Sequence, residues 1–427
     1  HLERCWRENN GFLQEPVVRI LHLIHRTWPY HGGAERYVWE HALAAERWGH
    51  TSTVVATDAW DMSWMVSKRG RHLQPGRFTR DGIEIIRFPV AHPPAQNLFR
   101  ALFRRIRKGG PDRYFYPNPF VPEFDRWIKR AKGFDMVHAN AMPFLLHAGY
   151  RYAQKRKVPL VSVPHANLGS EDHRIEPLHY FAGEQPEVLR RSDLVVAQNR
   201  FEASVYRNEC GVSGDKLMVL GSGIDPAEWE NADGDLARKA FSIPPDKKIV
   251  LSVTAHCRDK GSNTLLDSSI ELWKKGHDFV LVLAGPVLKD FRDHLDSRSD
   301  DIPMDSLVVT GYIREEIRKR LFQAAWIVVA PSRLDAFGIV LLDGWISGKP
   351  VIGCNAGGMP DLIDDGKNGF LVEFGHQEEL EEKISILLRN EELAISMGEN
   401  GRRTTMATHT WRKVTDRFYR EIQERLN

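Results

Sequence analysis

Cysteines are scarce in this sequence, and long hydrophobic runs are missing from it. The 427 residues include four cysteines, which lie far apart and match neither a zinc-binding spacing nor a disulfide framework. We therefore expect reduced thiols in a cytoplasmic protein. No apolar run approaches the length that spans a bilayer, and no N-terminal stretch has the pattern of a secretory signal peptide. We therefore expect neither a disulfide-rich secreted protein nor an integral membrane protein.

A large net charge is also missing. Basic and acidic residues nearly balance, at a formal net charge of +2, which gives no reason to expect a nucleic acid as a partner. The eighteen histidines include no HExxH pattern and no pairing with cysteines, so we predict no metal site. A chain of this length, with 42% hydrophobic residues, is long enough for two or three globular domains.

Short apolar runs alternate with helical patterns through the first half of the chain. A β-branched run at 17–23 is followed by a turn with Gly32 and Gly33, a helical pattern at 34–48 and a second strand at 51–56. This order is a βαβ unit, which indicates a parallel sheet. Further strands are predicted at 83–88, 136–138, 160–163, 194–197 and 216–220.

A second alternating series follows a segment rich in Gly, Pro and Asp, which begins near Gly221 and indicates a linker. Its strands are predicted at 249–253, 279–284, 307–310, 326–330, 351–354 and 369–372, and its helices at 262–275, 314–324, 339–347, 377–389 and 411–426. We therefore predict an α/β protein of two Rossmann-like, doubly wound domains facing a central cleft. The predicted boundaries are an extension at 1–16, an N-terminal domain at 17–224, a linker at 225–246, a C-terminal domain at 247–405 and a last helix within 406–427.

The segment from Val328 to Val372 carries the strongest functional pattern. Asp335 and Asp343 are separated by seven residues, the first in a loop after an apolar run and the second in a predicted helix. Carboxylates accept hydrogen bonds from sugar or ribose hydroxyls, and free N–H groups at a helix start favour a phosphate. The residues of that turn are Ala336, Phe337, Gly338 and Ile339. In the alternative interpretation, Asp335 only caps the helix and Asp343 is a surface charge.

Two further loops carry residues suited to a phosphate. Lys260 and Gly261 lie between a predicted strand and a predicted helix, with Arg258 two residues before the lysine. A cation in that position suits a diphosphate. Gly32 and Gly33 would let the backbone approach a phosphate or a sugar without a Cβ clash. Each feature alone is equally consistent with a solvated lysine or a plain turn.

His165 and Asn140 each stand at the end of a predicted strand. A histidine in that position can contact a substrate or act as an acid–base group. Both residues can equally be structural.

The segment 98–132 is basic and amphipathic, with ten basic residues against three acids. Apolar residues fall on one helical face between Leu98 and Ile106, and aromatic residues follow at Tyr114, Phe115, Tyr116 and Trp127. Such a segment can lie on an anionic membrane, which would place the protein at the inner face of the membrane. Equally, it can pack on its own domain with solvated arginines.

In this order and spacing, the motifs resemble those of the retaining glycosyltransferases of the GT4 type, which have the GT-B fold. The resemblance extends over 17–426. The matching segments are Gly32–Glu35 for the glycine loop, His165 for the cleft histidine, Gly223–Asp225 for the segment entering the linker, Lys260-Gly261 for the phosphate-binding pair, Pro331 to Asp343 for the paired-acid element, and Gly357-Gly358 with Gly369 for the glycines after it.

The resemblance implies metal-independent transfer of a sugar from a UDP-, GDP- or ADP-sugar, without a cofactor, to a glycan, a lipid-linked or a small-molecule acceptor. It implies that the C-terminal domain binds the donor, that the N-terminal domain binds the acceptor and that the last helix crosses back to the N-terminal domain. Catalytic roles are implied for Lys260, Asp335 and His165. Donor contacts are implied for Gly32, Gly33, Arg258, Lys260, Asp335, Ala336, Phe337, Gly338, Ile339 and Asp343.

The sequence departs from the pattern of that family in three respects. Both acids are aspartates where the family has glutamates, and Ala255 stands where an arginine usually precedes the lysine, so that Arg258 or His256 would have to replace it. Gly344-Trp345 follows the second acid where a pair of small residues is usual, and we expect the tryptophan to reshape the nucleotide end of the pocket. These departures leave an alternative open, a non-catalytic relative that binds nucleotide or glycan as a partner subunit.

Overall fold

The computed structural model describes residues 17–30, 32–93, 119–142, 144–166, 168 and 185–426. These residues form two compact units. The first contains the described residues up to Ala166, those from Gln185 to Leu220 and those from Thr415 onward. The second contains Leu168 and the residues from Gly221 to Val414. The predicted extension at 1–16 lies outside the described residues.

The first unit is built on one sheet, which has eight strands among the described residues. They are β1 (Arg19–Leu23), β2 (Thr51–Thr57), β3 (Gly76–Arg80), β4 (Ile83–Phe88), β5 (Met136–Asn140), β6 (Leu160–Val163), β7 (Leu194–Ala197) and β8 (Leu217–Val219). The spatial order is β3-β4-β2-β1-β5-β6-β7-β8, and only β3 runs antiparallel to its neighbour. The helices are α1 (Gly33–Arg47), α2 (Pro122–Arg130), α3 (Phe144–Arg156), α4 (Gln185–Arg191) and α5 (Arg200–Asn208).

The second unit is built on a parallel sheet with six strands among the described residues. They are β9 (Lys248–Val253), β10 (Phe279–Ala284), β11 (Leu307–Gly311), β12 (Ile327–Ala330), β13 (Val351–Cys354) and β14 (Gly369–Val372), in the spatial order β11-β10-β9-β12-β13-β14. The helices are α6 (Gly234–Ala240), α7 (Ser262–Lys274), α8 (Lys289–Ser297), α9 (Glu315–Ala324), α10 (Ile339–Ile346), α11 (Gln377–Arg389), α12 (Glu391–Thr408) and the start of α13 (Trp411–Leu426). Two Rossmann-like units confirm the predicted fold class.

Strands of the second sheet are buried on both faces, which explains their nearly continuous apolar sequences. Neighbouring residues of one strand join different core clusters. Leu251 and Val328 pack on one face of the sheet, whereas Val250 and Val329 pack on the other. This alternation follows from the two-residue period of a strand.

The segment that the sequence predicts as a linker contains helix α6. Asp233 caps this helix by accepting a hydrogen bond from the Asp235 backbone N–H at 2.9 Å. Arg238 donates to the Ala324 carbonyl at the end of α9, at 3.1 Å. Part of the predicted linker is therefore folded onto the second unit.

The strand β3 was missed by the sequence analysis. It forms a hairpin with β4 through Asp81 and Gly82, whose φ angles are 50° and 81°. An Asp-Gly pair with two positive φ angles is the ordinary signal of a two-residue hairpin turn. The sequence of β3, Gly-Arg-Phe-Thr-Arg, is too polar to be noticed as a strand by itself.

The last helix, α13, contributes its residues from Thr415 to the first unit. Within that unit, Asp416 accepts a hydrogen bond from the Trp48 indole at 3.1 Å. The Tyr419 hydroxyl donates to the His41 carbonyl at 2.7 Å. No helix among the described residues has the length and apolar character needed to cross a membrane.

Strand order reverses at one place in each sheet. In the first sheet β1 lies between β2 and β5, and in the second β9 lies between β10 and β12. In doubly wound sheets, ligands bind outside the carboxyl ends of the strands at such a reversal. The loops after β1, β5, β9 and β12 are therefore the places to look for function.

Candidate functional site

Lys260 and Asp335 lie together beyond the carboxyl ends of β9 and β12. Lys260 Nζ donates to the Leu334 carbonyl and lies 3.4 Å from Asp335 Oδ2. The two side chains are 26% and 28% exposed, so a ligand can still reach them. The adjacency of β9 and β12 brings the two predicted residues into one site.

The turn after Asp335 is held by the carboxylate itself. Asp335 Oδ1 accepts a hydrogen bond from the Gly338 N–H at 3.2 Å. Gly338 has a φ of 94° and caps α10, which begins at Ile339. Asp335 thus holds the turn that precedes the helix, while its other oxygen faces Lys260.

The glycines after β13 let a second loop pack against this turn. The Gly358 N–H donates to the Asp335 carbonyl at 2.9 Å. A Cβ atom at Gly357 would lie 2.0 Å from the Asp335 carbonyl oxygen, and one at Gly358 would lie 2.4 Å from the Ala336 carbonyl oxygen. Only residues without a Cβ permit this approach.

Asp343 lies in α10, and its side chain is only 4% exposed. Its Oδ2 forms an ion pair with Nη1 of Arg318, a residue of α9 that the sequence analysis did not consider. Burial by itself would lower the pKa of Arg318, but the charge of Asp343 and the hydrogen bonds to Glu315 and Asp343 raise it above its ordinary value. Asp343 is thus not a surface charge.

Trp345 is fully buried, and its indole N–H donates to the Asn368 carbonyl at 2.7 Å. The expectation that Trp345 reshapes the nucleotide end of the pocket is therefore wrong. The indole packs instead against Gly401 of α12, where an added Cβ would lie 1.9 Å from Trp345 Cδ1.

His256 and Arg258, the two candidates to replace the arginine missing at position 255, both lie in the loop after β9. His256 is fully buried and shares a hydrogen bond with Ser262 Oγ at 3.1 Å, and burial lowers its pKa to about 4. A neutral, buried imidazole cannot replace an arginine. Arg258 is exposed; its backbone N–H donates to Asp290 Oδ2 at 2.7 Å, and the residue lines a cavity of about 460 Å³ with Phe374.

Arg333 is a third cation near Lys260 and was missed by the sequence analysis. It directly follows Pro331 and Ser332 in the sequence. Its Nη2 lies 2.6 Å from Asp259 Oδ1, and its backbone N–H donates to the Asp259 carbonyl at 3.2 Å. These contacts tie the β9 and β12 loops together, which fixes Lys260 and Asp335 relative to each other.

Gly32 and Gly33 begin α1 in the first unit, with Gly32 at the N-cap. A Cβ atom at Gly32 would lie 2.1 Å from Glu35 Oε2. Glu35 pairs with Arg26 at 2.8 Å, and the Arg26 guanidinium lies 3.8 Å from the centre of the Tyr30 ring. The glycine turn is therefore packed closely by its own helix, and His31 lies outside the described residues.

His165 follows β6 with a φ of 52°, in the left-handed region that few non-glycine residues adopt. Its Nε2 lies 3.2 Å from Oδ1 of Asn140 at the end of β5. Because an amide oxygen only accepts, Nε2 carries the ring proton. Burial and the nearby His25 lower the pKa of His165 to about 4, so the ring is neutral at pH 7.

Three more histidines, which the sequence analysis did not single out, are buried in the first unit. The Nδ1 atoms of His22 and His138 lie 2.9 Å apart, and the ring centres of His41 and His138 are 5.5 Å apart. Burial lowers the pKa of His22 and of His41 to about 3, and that of His138 well below its ordinary value. Among the described residues, no group of three or more His, Cys, Asp or Glu side chains is placed to hold a metal ion.

Most of the basic segment at 98–132 lies outside the described residues. Its described part is mainly helix α2, in which Phe124 and Ile128 are buried. The Trp127 ring packs against Phe88, with 5.6 Å between the ring centres. The apolar side of α2 therefore faces the protein.

Known glycosyltransferase families match both units of the chain. The family described as Glycosyltransferase Family 4 matches residues 31–228, and the family described as Glycosyl transferases group 1 matches residues 233–404. The chain is 26% identical over 367 residues to D-inositol 3-phosphate glycosyltransferase 1 of Catenulispora acidiphila, a match that covers 80% of this chain and 86% of that protein. It is 29% identical over 304 residues to alpha-D-kanosaminyltransferase of Streptomyces kanamyceticus, covering 67% and 77%.

Solved structures show the same fold. Anabaena Alr3699/HepE in complex with UDP and glucose matches with a TM-score of 0.71 at 18% identity, covering 95% of this chain and 99% of that chain. Sucrose-phosphate synthase from Thermosynechococcus elongatus matches with a TM-score of 0.73 at 19% identity, covering 95% and 98%. The chain therefore belongs to the family 4 glycosyltransferases, also described as glycosyl transferases group 1, and has the GT-B fold.

Proposed function

We propose that the chain is an active, retaining and metal-independent glycosyltransferase that takes its sugar from a nucleotide-diphosphate sugar. The observation that carries this proposal is the pairing of Lys260 with Asp335 at the reversal of strand order in the second sheet. A partly exposed cation and a partly exposed carboxylate lie there side by side. The cation suits a diphosphate, and the carboxylate suits sugar hydroxyls.

Lys260 is proposed to stabilise the negative charge that develops on the leaving diphosphate. Electrostatic groups aimed at developing charge contribute about 2.7–4 kcal/mol each in well-studied enzymes. Asp335 would hold the sugar hydroxyls. The turn of Ala336, Phe337, Gly338 and Ile339 would bind the sugar or a phosphate through its N–H groups, and exposed Arg258 would add charge at the diphosphate.

The remaining assignments rest on the family pattern. Asp343 would lie at the ribose, Gly32 and Gly33 at the donor phosphates, and His165 at the reacting sugar. Because His165 is neutral with its proton on Nε2, it would serve through hydrogen bonds rather than as a charged acid. Retention would follow from front-face attack, in which the leaving phosphate accepts the acceptor proton and no side chain acts as a nucleophile.

The relatives indicate which substrates to test first. One solved neighbour is in complex with UDP and glucose, and one relative is named for transfer to D-inositol 3-phosphate. We therefore propose a UDP-sugar as the first donor to test, before GDP- and ADP-sugars. As acceptors we propose a polyol phosphate first, then glycans and lipid-linked sugars.

Calorimetry followed by a transfer assay tests this function. UDP, GDP and ADP are titrated into the full chain, and transfer from the matching sugar donors is then measured. Lys260→Ala is expected to lower kcat by about 100-fold or more. Lys289→Ala, at a side chain that is 87% exposed on α8, is the control and should leave kcat unchanged.

Two outcomes would contradict the proposal. Unchanged turnover in Lys260→Ala would remove the assigned role of the lysine. Nucleotide binding without donor hydrolysis or transfer, over a broad acceptor panel, would favour the non-catalytic alternative. The two aspartates and Ala255 are the residues that favour it.

Peripheral contact with an anionic membrane through 98–132, at the cytoplasmic face, is a separate proposal. The basic composition of the segment supports it, whereas the inward packing of α2 limits the apolar surface that it can offer. Sedimentation with anionic liposomes should be salt-sensitive. It should also be weakened by the triple change Arg104→Glu, Arg105→Glu and Arg107→Glu; unchanged sedimentation would refute membrane contact.

A further inference from the structure

The second unit contains a cavity of about 460 Å³ that the proposed reaction does not use. Residues from the first turns of three helices, α7, α8 and α11, line this cavity, and so does Phe374, which follows β14. Neither Lys260 nor Asp335 is among the lining residues. The volume lies within the range of about 300–1,000 Å³ that is usual for small-molecule sites. The cavity is therefore a candidate for a second binding site.

The charges around the cavity nearly cancel. Arg258 contributes a guanidinium and Asp290 an exposed carboxylate. The Asp267 carboxylate is already paired, since His294 Nε2 lies 3.1 Å and Arg298 Nε 3.2 Å from its Oδ1. A bound anion would meet the Asp290 carboxylate, and facing like charges are costly. Among the described residues, no group of three or more His, Cys, Asp or Glu side chains is placed to hold a metal ion. A neutral ligand fits this cavity better than an anion or a metal ion.

The lining offers both donors and acceptors of hydrogen bonds. The first N–H groups of a helix have no partner within that helix, and those of Asn263 and Thr264 bind no other group in the described part of the chain. Asn263 Oδ1 is buried without a hydrogen-bond partner there, so its amide can turn towards a ligand without losing a contact. The Thr264 hydroxyl can donate and accept, and the Asp290 carboxylate accepts. Sugar hydroxyls, which also donate and accept, match such a lining.

Phe374 adds an apolar surface to this polar lining. The Arg333 guanidinium lies 4.9 Å from the centre of the Phe374 ring, and Arg333 is itself paired with Asp259 at 2.6 Å. These contacts hold the ring in place at the cavity. An aromatic ring beside hydroxyl-binding groups suits the C–H groups of a sugar ring, which it attracts through many small dispersion contacts.

We propose that this cavity is a second saccharide-binding site, which takes a neutral sugar or the end of a glycan chain. Asn263, Thr264 and Asp290 bind the hydroxyl groups, and Phe374 packs on the sugar ring. The site is separate from the proposed donor site at Lys260 and Asp335. It goes beyond the proposed function, because sugar binding here requires no catalysis.

NMR titration of the full chain, observed on the ligand, tests the proposal. The probes are glucose, mannose, N-acetylglucosamine, myo-inositol and maltotriose. At least one of them should bind, and Asn263→Ala and Phe374→Leu should each weaken it about threefold or more, as expected for lost neutral hydrogen bonds and packing. Tighter binding of maltotriose than of glucose would identify a glycan chain as the ligand, whereas equal binding would identify a single sugar.

Three control variants separate this site from the donor site. Asn231→Ala, at an exposed residue outside the cavity, should bind the probe like the wild type. Lys260→Ala and Asp335→Asn should also keep the affinity of the wild type. Urea denaturation verifies that each variant folds. Thr264→Ala, at a partly exposed residue, replaces Phe374→Leu if the latter does not fold.

Two results would overturn the proposal. In the first, no probe binds at about 10 mM, a concentration that detects even millimolar affinity. In the second, Lys260→Ala or Asp335→Asn abolishes sugar binding while Asn263→Ala and Phe374→Leu leave it unchanged, which would place the sugar in the donor site. Neither result depends on sugar transfer, so the proposed function stands or falls separately.

Discussion

Nζ of Lys260 lies 3.4 Å from Oδ2 of Asp335, while Oδ1 of the same carboxylate accepts the Gly338 N–H at 3.2 Å. One side chain thus positions the cation on one side and the start of α10 on the other. The pair is partly exposed, so it contributes little to folding stability, about 0–1 kcal/mol. The Lys260–Asp335 pair instead presents a positive and a negative charge side by side to a ligand.

Asp335→Asn is expected to separate these two tasks. The amide keeps the size of the side chain and one acceptor oxygen, but it loses the charge that faces Lys260 and the sugar. We expect transfer to fall by about tenfold or more, since hydrogen bonds to charged groups are worth about 1.5–3 kcal/mol. The free energy of unfolding should change by less than about 1 kcal/mol. Donor kinetics and urea denaturation measure the two effects.

Asp335→Ala and a distant aspartate complete this comparison. The alanine variant also loses the hydrogen bond from the Gly338 N–H and should lose about 0.5–1.5 kcal/mol of stability. Asp293→Asn, at a side chain that is 63% exposed on α8, should alter neither quantity. Normal donor kinetics in Asp335→Asn would show that the carboxylate only holds the turn before α10.

Gly357→Ala is expected to distort the Asp335 turn. Gly357 has a φ of 61°, and a Cβ there would lie 2.0 Å from the Asp335 carbonyl oxygen. Gly366 is the matched control, because its φ is 76° but a Cβ would meet nothing within 4 Å. Gly366→Ala should therefore cost only the left-handed strain, about 1–2 kcal/mol.

Gly357→Ala should cost more stability than its control, and it should also weaken nucleotide binding, which Gly366→Ala should leave unchanged. Urea denaturation and calorimetry report the two effects. Equal losses of stability in the two variants would mean that the β13 loop moves without disturbing Asp335.

The sequence predicts the second sheet well because its strands are buried on both faces. An uninterrupted apolar run such as Phe279–Ala284 leaves little freedom in where a strand begins and ends, and here the predicted bounds are those of the structure. Helix α12 was missed, since its sequence is largely polar and contains Gly398 and Gly401. The structure explains these two glycines, because Gly348 packs against Gly398 and Trp345 packs against Gly401.

Within the candidate site, the sequence predicts the contacts that depend on strand adjacency and not those that depend on side-chain direction. Lys260 and Asp335 meet because β9 and β12 are neighbours. Arg318 lies in a run of charged residues, from Arg314 to Arg320, in which no pattern marks one arginine as different. Trp345 could have been placed correctly, because it follows Leu341 by four residues and such residues share a helix face.

Gly401→Ala is expected to destabilise the protein, although alanine is normally the better helix former by about 1 kcal/mol. The added Cβ would lie 1.9 Å from Trp345 Cδ1, and overpacking a core typically costs about 1–3 kcal/mol. The same change in a Trp345→Leu background should be nearly neutral or stabilising. Thermal denaturation of the two single variants and the double variant gives the coupling energy. An additive result would show that α12 shifts freely away from Trp345.

The buried histidines of the first unit predict a loss of stability in mild acid. An unfolded chain takes up protons at its histidines near pH 6.5, whereas the folded pKa is lowered to about 3 for His22 and His41 and well below its ordinary value for His138. Their contribution to stability is therefore fully present above pH 6.5. It is lost as the pH falls from 6.5 towards about 3, because the unfolded state then binds more protons than the folded state.

His41→Gln tests this acid sensitivity. Each pH unit below 6.5 lowers the free energy of unfolding by at most about 1.4 kcal/mol per buried histidine. Between pH 7 and pH 5 the free energy of unfolding of the variant should therefore fall by up to about 2 kcal/mol less than that of the wild type. At pH 7 the variant should be less stable than the wild type, because its side chain no longer packs as the imidazole does. His376→Gln, at an exposed residue before α11, should follow the wild-type profile. Urea denaturation of the wild type and the two variants at pH 7, 6 and 5 gives the slope of the free energy of unfolding against pH for each protein. A His41→Gln slope equal to that of the wild type would mean that His41 is already protonated in the folded protein.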